Sequence, residues 1–413
     1  EQVNNLPIDT GDTAWLLASS ALVLIMTPGL AFFYGGLVRK KNANAIIMQC
    51  FACILLVSTI WVLYGYSMAF GPDVGGFVGN LDWAGLNGVG LEPNEGYAAT
   101  VPHQAFMIFQ AMFAIITPAL IIGAIADRMK FSAFLIFLLL WATFVYNPIA
   151  HWVWGIGGWV RGFGALDFAG GTVVHINAGA AALVGALYLG KRRGFGKDPM
   201  LPHNVPFVVL GTALLWFGWF GFNAGSALAS GGLATSAFVV THTATAVAGL
   251  TWLIISWLHK GNPSLIGACT GAVAGLVAIT PASGFVGPLA SIAIGAGAGA
   301  FCYAAVQYKN KKGFDDALDV WAVHGIGGTW GALATGIFAE KAINAAGNNG
   351  LLFGNAAQMI PQIIGVAATW GYSMVVSLIL LVIINKTIGL RVKPEEEAVG
   401  LDLGQHAEEA YVD

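Results

Sequence analysis

The chain has 413 residues, 57% of them hydrophobic and 9% charged, with a mean hydropathy of +0.73. A soluble domain carries roughly 25% charged residues, so this composition excludes one and points to lipid. The net charge is −3 and no basic patch of the kind nucleic acid requires is present, which sets that partner class aside.

A bilayer takes about 20 consecutive apolar residues per helix, and by that rule the chain divides into eleven candidate spans. The first two, 13–38 and 43–70, are joined by Arg39, Lys40 and Lys41. A loop over 71–100 holds Asp73, Asp82, Glu92 and Glu95 and no Lys or Arg. It leads to 101–126, and Arg128 and Lys130 precede 131–154. Then follow 170–190, 205–228, 234–259, 263–280, 287–308, 320–339 and 356–386. The expected fold is an all-α integral membrane protein of eleven transmembrane helices, with one polytopic domain over 1–386 and a tail over 387–413.

Basic residues orient this set. With connections assigned alternately, 16 of the 18 Lys and Arg fall on one side, and only Arg161 and Lys341 on the other. Positive charge is retained in the cytoplasm, which places the C-terminus inside. An odd span number then puts the N-terminus outside, and the acidic loop 71–100 faces outward. A start at Glu1 rather than Met fits a removed signal peptide, although a trimmed start reads the same.

Cys50, Cys53, Cys269 and Cys302 all fall inside predicted spans and read as small buried apolar residues, not as a metal set. The 56 glycines are about twice the usual share, as close helix packing in lipid requires. Two ionisable residues at membrane depth stand out: His175 in DFAGGTVVHINAG and His324 in DVWAVHGIGGTWGALATG. Such residues are functional-site candidates by default. Small residues follow both at the same offsets, Ala178, Ala182 and Ala186 after His175 and Gly327, Gly331 and Thr335 after His324. Asp167 and Asp319 open the two segments, which read as counterparts in an inverted repeat of halves 13–190 and 205–339, with 356–386 added.

Several long motifs, PGLAFFYGGLVRKKN (28–42), FQAMFAIITPALIIGAIADR (109–128), PIAHWVWGIGGW (148–159), GKRR (190–193), WFGFNAGSA (219–227) and the two histidine runs, resemble the ammonium transporters of the Amt/Mep/Rh superfamily, the bacterial Amt branch in particular. The resemblance covers essentially the whole chain. It implies a multi-pass protein of the bacterial inner membrane that conducts ammonium, or methylammonium as its analogue, without a cofactor and not as an enzyme. It assigns substrate recruitment to Phe113, Trp154 and Ser226, the gate to Phe113 and Phe222, and the pore to His175 and His324, with Asp167 in support. It further implies a homotrimer with one pore per subunit.

The residue chemistry agrees with those roles. Facing neutral imidazoles can hydrogen-bond each other and still offer groups to a small polar guest. Aromatic faces and hydroxyls attract a cation. An apolar pore opposes a bare ion, which favours loss of a proton before crossing. His103, His151, His203, His242 and His259 match no pore role and read as satisfied structural residues, His242 by side chains or by a subunit contact.

Two other readings use the same features. A histidine pair can ligate haem between helices, but only one matched pair is present, with no haem-attachment motif and many small residues. A sensor of the same fold would bind ammonium and signal through a partner with little transport. After Lys393 the tail carries Pro394 and a run of carboxylates, and by composition it is a solvated acidic segment. By resemblance, GLRV and GLD mark it as a cytoplasmic regulatory region, with a PII-type signalling protein as partner at that face.

Overall fold

The computed structural model describes residues 7 to 411; Glu1, on which the reading of a processed N-terminus turned, and Val412 and Asp413 of the tail lie outside the described residues. The described residues are mainly helical: α1 (Thr10–Leu37), α2 (Lys40–Phe70), α3 (His103–Ile125), α4 (131–154), α5 (Gly171–Leu189), α6 (Val205–Ala227), α7 (Gly232–Lys260), α8 (Leu265–Ile279), α9 (Pro288–Lys312), α10 (321–338) and α11 (Ala356–Thr387). Nine helices among the described residues are long and apolar enough to cross a membrane. The two outside that set are α8, apolar but with 15 residues, and α10.

Local chemistry sets several boundaries. The Asp9 carboxylate accepts from Asp12 N at the start of α1, Asn204 Oδ1 from Phe207 N at α6, and Ser264 Oγ from Gly267 N at α8. Gly261 and Gly313, both at positive φ, close α7 and α9. The loop between α2 and α3 carries two short antiparallel pairs, Asp73–Val74 with Val78–Gly79 and Pro93–Asn94 with Ala98–Pro102.

Glycine brings α5 and α10 into backbone contact. A Cβ on Gly179 would overlap the Gly325 main chain, and one on Gly328 would meet Gly171 O and the His175 side chain. Close approach of this kind is the use lipid-embedded helices make of small residues. All four cysteines are buried and unbridged.

The tail departs from its composition. After Gly389 it folds into two short helices, α12 (Pro394–Val399) and α13 (Leu401–His406). It docks across several connections: Val392 N donates to Arg128 O, Arg193 N to Glu397 Oε1 at 2.5 Å, Ala45 N to Asp402 Oδ1 at 2.8 Å, and Phe131 N to Gln405 Oε1 at 3.0 Å. Glu397 is 2% exposed and also pairs with Arg391 at 2.8 Å. Glu397 and Asp402, two of the carboxylates that made the segment read as solvated, help to fix it, because they accept from backbone donors more than 200 residues away in sequence.

Beneath the tail, a buried charge lattice joins the same connections. Arg39 pairs with Asp127 at 3.1 Å and Arg192 with Asp315 at 2.8 Å. Burial alone would raise the Asp315 carboxyl, but the Arg192 hydrogen bonds and the charges of Arg192 and Arg128 outweigh it and hold the group below its usual value.

Candidate functional site

Both histidines stand in wider, π-type turns at the start of their helices, Gly171–Ile176 and Trp321–Ile326. Such turns recur at functional sites. Asp167 anchors the first. Its carboxylate accepts from Gly170 N at 2.9 Å, Gly171 N at 2.5 Å and Thr172 N at 2.8 Å, and from the Thr172 hydroxyl.

The equivalent anchor for His324 is Asp316, which accepts from Val320 N at 3.1 Å and Trp321 N at 2.7 Å. This corrects the pairing of Asp167 with Asp319. Asp319 has φ 61° and its carboxylate lies 2.5 Å from Lys309 Nζ instead. Proximity to the hydrophobic run favoured Asp319, whereas a cap is decided by which carboxylate reaches the free N–H groups.

The two rings meet between α5 and α10. His175 Nδ1 and His324 Nδ1 are 3.3 Å apart, and the residues are 1% and 3% exposed. Since two acceptors do not bond, one Nδ1 carries a proton and donates to the other, whose own proton is then on Nε2. His175 Nε2 is buried with no hydrogen-bond partner. Trp219 and Phe222 stack on His175 at 5.4 and 6.0 Å between centroids.

Above Phe222 the aromatic column continues. Phe113 and Phe222 are 4.3 Å apart, and Phe113 meets Trp154 edge-on at 5.7 Å. A cavity of about 150 Å³ beyond them is lined by Phe113, Trp154 and Ser226, together with Gln110, Arg161 and Tyr97. Trp154 Nε1 donates to Asp167 O at 2.9 Å, tying this ring to the anchor of α5. Ser226 Oγ donates to Phe222 O at 2.8 Å, so its lone pairs stay available. On the opposite side of the column a second cavity is lined by His324, Trp219, Tyr34 and Asp319.

The structure thus brings together Phe113, Trp154, Ser226, Phe222, His175 and His324 in one line of contacts, with Asp167 holding two members. The sequence reading missed Gln110, Trp219 and Tyr34. Gln110 carried a usable signal, a polar side chain one turn before Phe113 in an otherwise apolar span; Trp219 carried none, since a tryptophan in a span is ordinary packing.

Four of the remaining histidines find hydrogen-bond partners. His103 Nε2 lies 2.6 Å from Tyr66 Oη, His151 Nε2 2.8 Å from Asp73 Oδ1, His259 Nδ1 2.6 Å from Tyr303 Oη and His203 Nε2 3.1 Å from Tyr411 Oη. His242 is exposed on α7, with its ring 5.4 Å from that of Trp216.

Comparison with known proteins supplies the context for this line of residues. The profile of the Ammonium Transporter Family matches residues 14–411. An ammonium transporter of Bacillus subtilis (strain 168) is 51% identical over 404 residues, covering 98% of this chain and 99% of that protein. The crystal structure of Saccharomyces cerevisiae Mep2 superposes with a TM-score of 0.91 at 36% identity, covering 99% of this chain and 94% of that one. A structure described as a sensor Amt protein gives 0.88 at 30% identity, over 96% and 98%.

Proposed function

Because the chain belongs to the ammonium transporter family and is a multi-pass membrane protein, we propose that it recruits ammonium at Phe113, Trp154 and Ser226. The substrate then passes the Phe113 and Phe222 rings and crosses an apolar pore lined by His175 and His324. In this reading α8 and α10 also span the bilayer, giving eleven spans with an inverted repeat in the first ten. The N-terminus is outside and the C-terminus inside, in a bacterial inner membrane. The working unit is a homotrimer with one pore per subunit, and the tail is a regulatory element for a PII-type partner.

One observation carries the pore: two buried imidazoles with Nδ1 atoms 3.3 Å apart, in an aromatic and aliphatic wall. Burying a bare cation there is costly, while ammonia is neutral and needs only one donor and a few acceptors. Ammonium therefore passes a proton to outer water on the Trp154 side of the rings and goes on as ammonia. The unpartnered His175 Nε2 faces that demand, either as an acceptor for a guest N–H or as a donor to its lone pair.

The test is purified protein in liposomes given an ammonium gradient, with internal pH and membrane current followed together. A response that empty liposomes lack supports the reading, and silence from folded protein sinks it. Transport is preferred over sensing because relatives such as that of Bacillus subtilis, at 51% identity, are named transporters, while the sensor structure stands at 30%.

A further inference from the structure

The recruiting cavity contains a polar group that none of the roles above uses. Gln110 lies on α3 one turn before Phe113 and lines the same cavity as Phe113, Trp154 and Ser226. It is 8% exposed, and its Oε1 is buried with no hydrogen-bond partner. A buried unpaired carbonyl is costly, and native structures retain one where a ligand or water completes it.

The polar side chains around the cavity can be accounted for one by one. Trp154 Nε1 is spent on Asp167 O, so only its ring face is left. Tyr97 Oη donates to Phe70 O at 2.7 Å and accepts from Ile156 N at 3.0 Å. Arg161 donates to Trp154 O at 2.7 Å and has no acceptor to offer. Ser226 has spent its proton on Phe222 O but retains lone pairs. The side-chain acceptors that remain are Ser226 Oγ and Gln110 Oε1.

We propose that Gln110 is a ligand of the recruited cation: its side-chain carbonyl accepts one N–H of ammonium and makes the cavity prefer ammonium over methylammonium. This rests on the transport reading above. Ammonium presents four donors and no acceptor, so each neutral oxygen in a cavity of otherwise aromatic and aliphatic walls takes one proton of the guest. The amide rotates freely enough to turn its oxygen toward a cation, and the positive Arg161 at the same cavity makes such an oxygen more valuable. Methylammonium has one donor fewer, and its methyl group must be kept off both oxygens, so fewer of its orientations reach Gln110 and Ser226 together.

The experiment compares wild type, Gln110→Leu and Gln110→Glu in liposomes, measuring KM and maximal rate for ammonium and methylammonium. A hydrogen bond from a charged donor is strong, so Gln110→Leu should raise the ammonium KM about tenfold, with the methylammonium KM rising less and the maximal rates kept. Gln110→Glu retains the oxygen and adds charge, and should lower the ammonium KM below that of wild type once the carboxyl ionises. Equal changes for both substrates, or a loss of rate at unchanged KM, would mean a packing role and overturn the proposal. A normal wild-type response with unchanged KM in both variants overturns it alone; a wild type that does not respond overturns the transport reading and this assignment with it.

Discussion

Asp167 and Asp316 are counterparts: each stands eight residues before one of the facing histidines, and each accepts backbone N–H bonds from the first turn of the helix that carries it. The small-residue offsets after the histidines thereby extend to a shared anchor before them. Replacing Asp316 by Ala removes acceptors from Val320 N and Trp321 N and should cost about 0.5–2 kcal/mol, as loss of an N-terminal cap does. Asp319→Ala should cost less, because it removes a partly exposed ion pair with Lys309. The carboxyl of Asp316 is also lifted to about 6 by burial, with Asp319 adding to the rise and Lys309 opposing it. An acid raised in the folded state stabilises below its ordinary value of 3.8, and that contribution is lost as pH rises through about 6. Thermal midpoints in detergent should therefore fall less between pH 4 and pH 7, as an order-of-magnitude window, in Asp316→Asn than in wild type; parallel curves would refute this.

His175→Ala and His324→Ala should abolish selective ammonium transport, since either change leaves one imidazole without the partner 3.3 Å away and opens space in the column. Flux assays with ammonium and with potassium separate two outcomes. Loss of ammonium flux with potassium still excluded makes the pair a conduit. Potassium flux gained in either variant makes it a filter as well. Ammonium transport at the wild-type rate in both variants would remove the histidines from the pathway.

The helices were legible because hydrophobic runs and punctuating charges report burial directly: 170–190 became Gly171–Leu189, and 356–386 became Ala356–Thr387. The histidines were legible for the opposite reason, being costly where they stand. What sequence concealed was tertiary choice. Asp319 and Asp316 are both acidic and near the helix start, and only the backbone path, with φ 61° at Asp319, decides which one caps. The tail hid for a similar cause, since Glu397 and Asp402 look solvated until Arg193 N and Ala45 N arrive from elsewhere. Resemblance supplied Phe113, Trp154 and Ser226, whereas Gln110 was marked in sequence only as a polar residue in an apolar span, and the cavity shows what it lines.

Trp154→Leu and Ser226→Ala should weaken recruitment at low ammonium, each by about 0.5–2 kcal/mol, through loss of a cation–π face and of a hydroxyl acceptor. Trp154→Leu also removes the hydrogen bond to Asp167 O, so its effect should be the larger. Phe222→Ala should change the maximal rate more than the concentration dependence, because the ring stacks between Phe113 and His175. Concentration curves unchanged in both Trp154→Leu and Ser226→Ala would count against the recruiting cavity.

A homotrimer would give the exposed face of α7 a partner. His242 is a polar group exposed on that face, with its ring 5.4 Å from that of Trp216. In a lipid environment such a group is better placed against another subunit. Native mass measurement in mild detergent should give three copies of the chain, and a monomer or dimer retained across detergents would refute the trimer.

Control through the tail is testable because its docking is specific. Glu397 accepts from Arg193 N and pairs with Arg391, and Asp402 accepts from Asn44 N and Ala45 N, so the tail bridges the connection into α2 to the connection after α5. Truncation after Gly389 removes all of these contacts and the Val392 to Arg128 bond, and frees the same connections on which a partner protein would sit. Transport should therefore change on truncation while the helices remain folded. A pull-down of membrane-embedded protein with a cognate PII protein, in the presence of adenine nucleotides and with 2-oxoglutarate varied, should show binding that depends on the effector and weakens in the truncated chain. Absence of binding under every condition would reject that partner; transport and binding both intact after truncation would make the tail a passive strap.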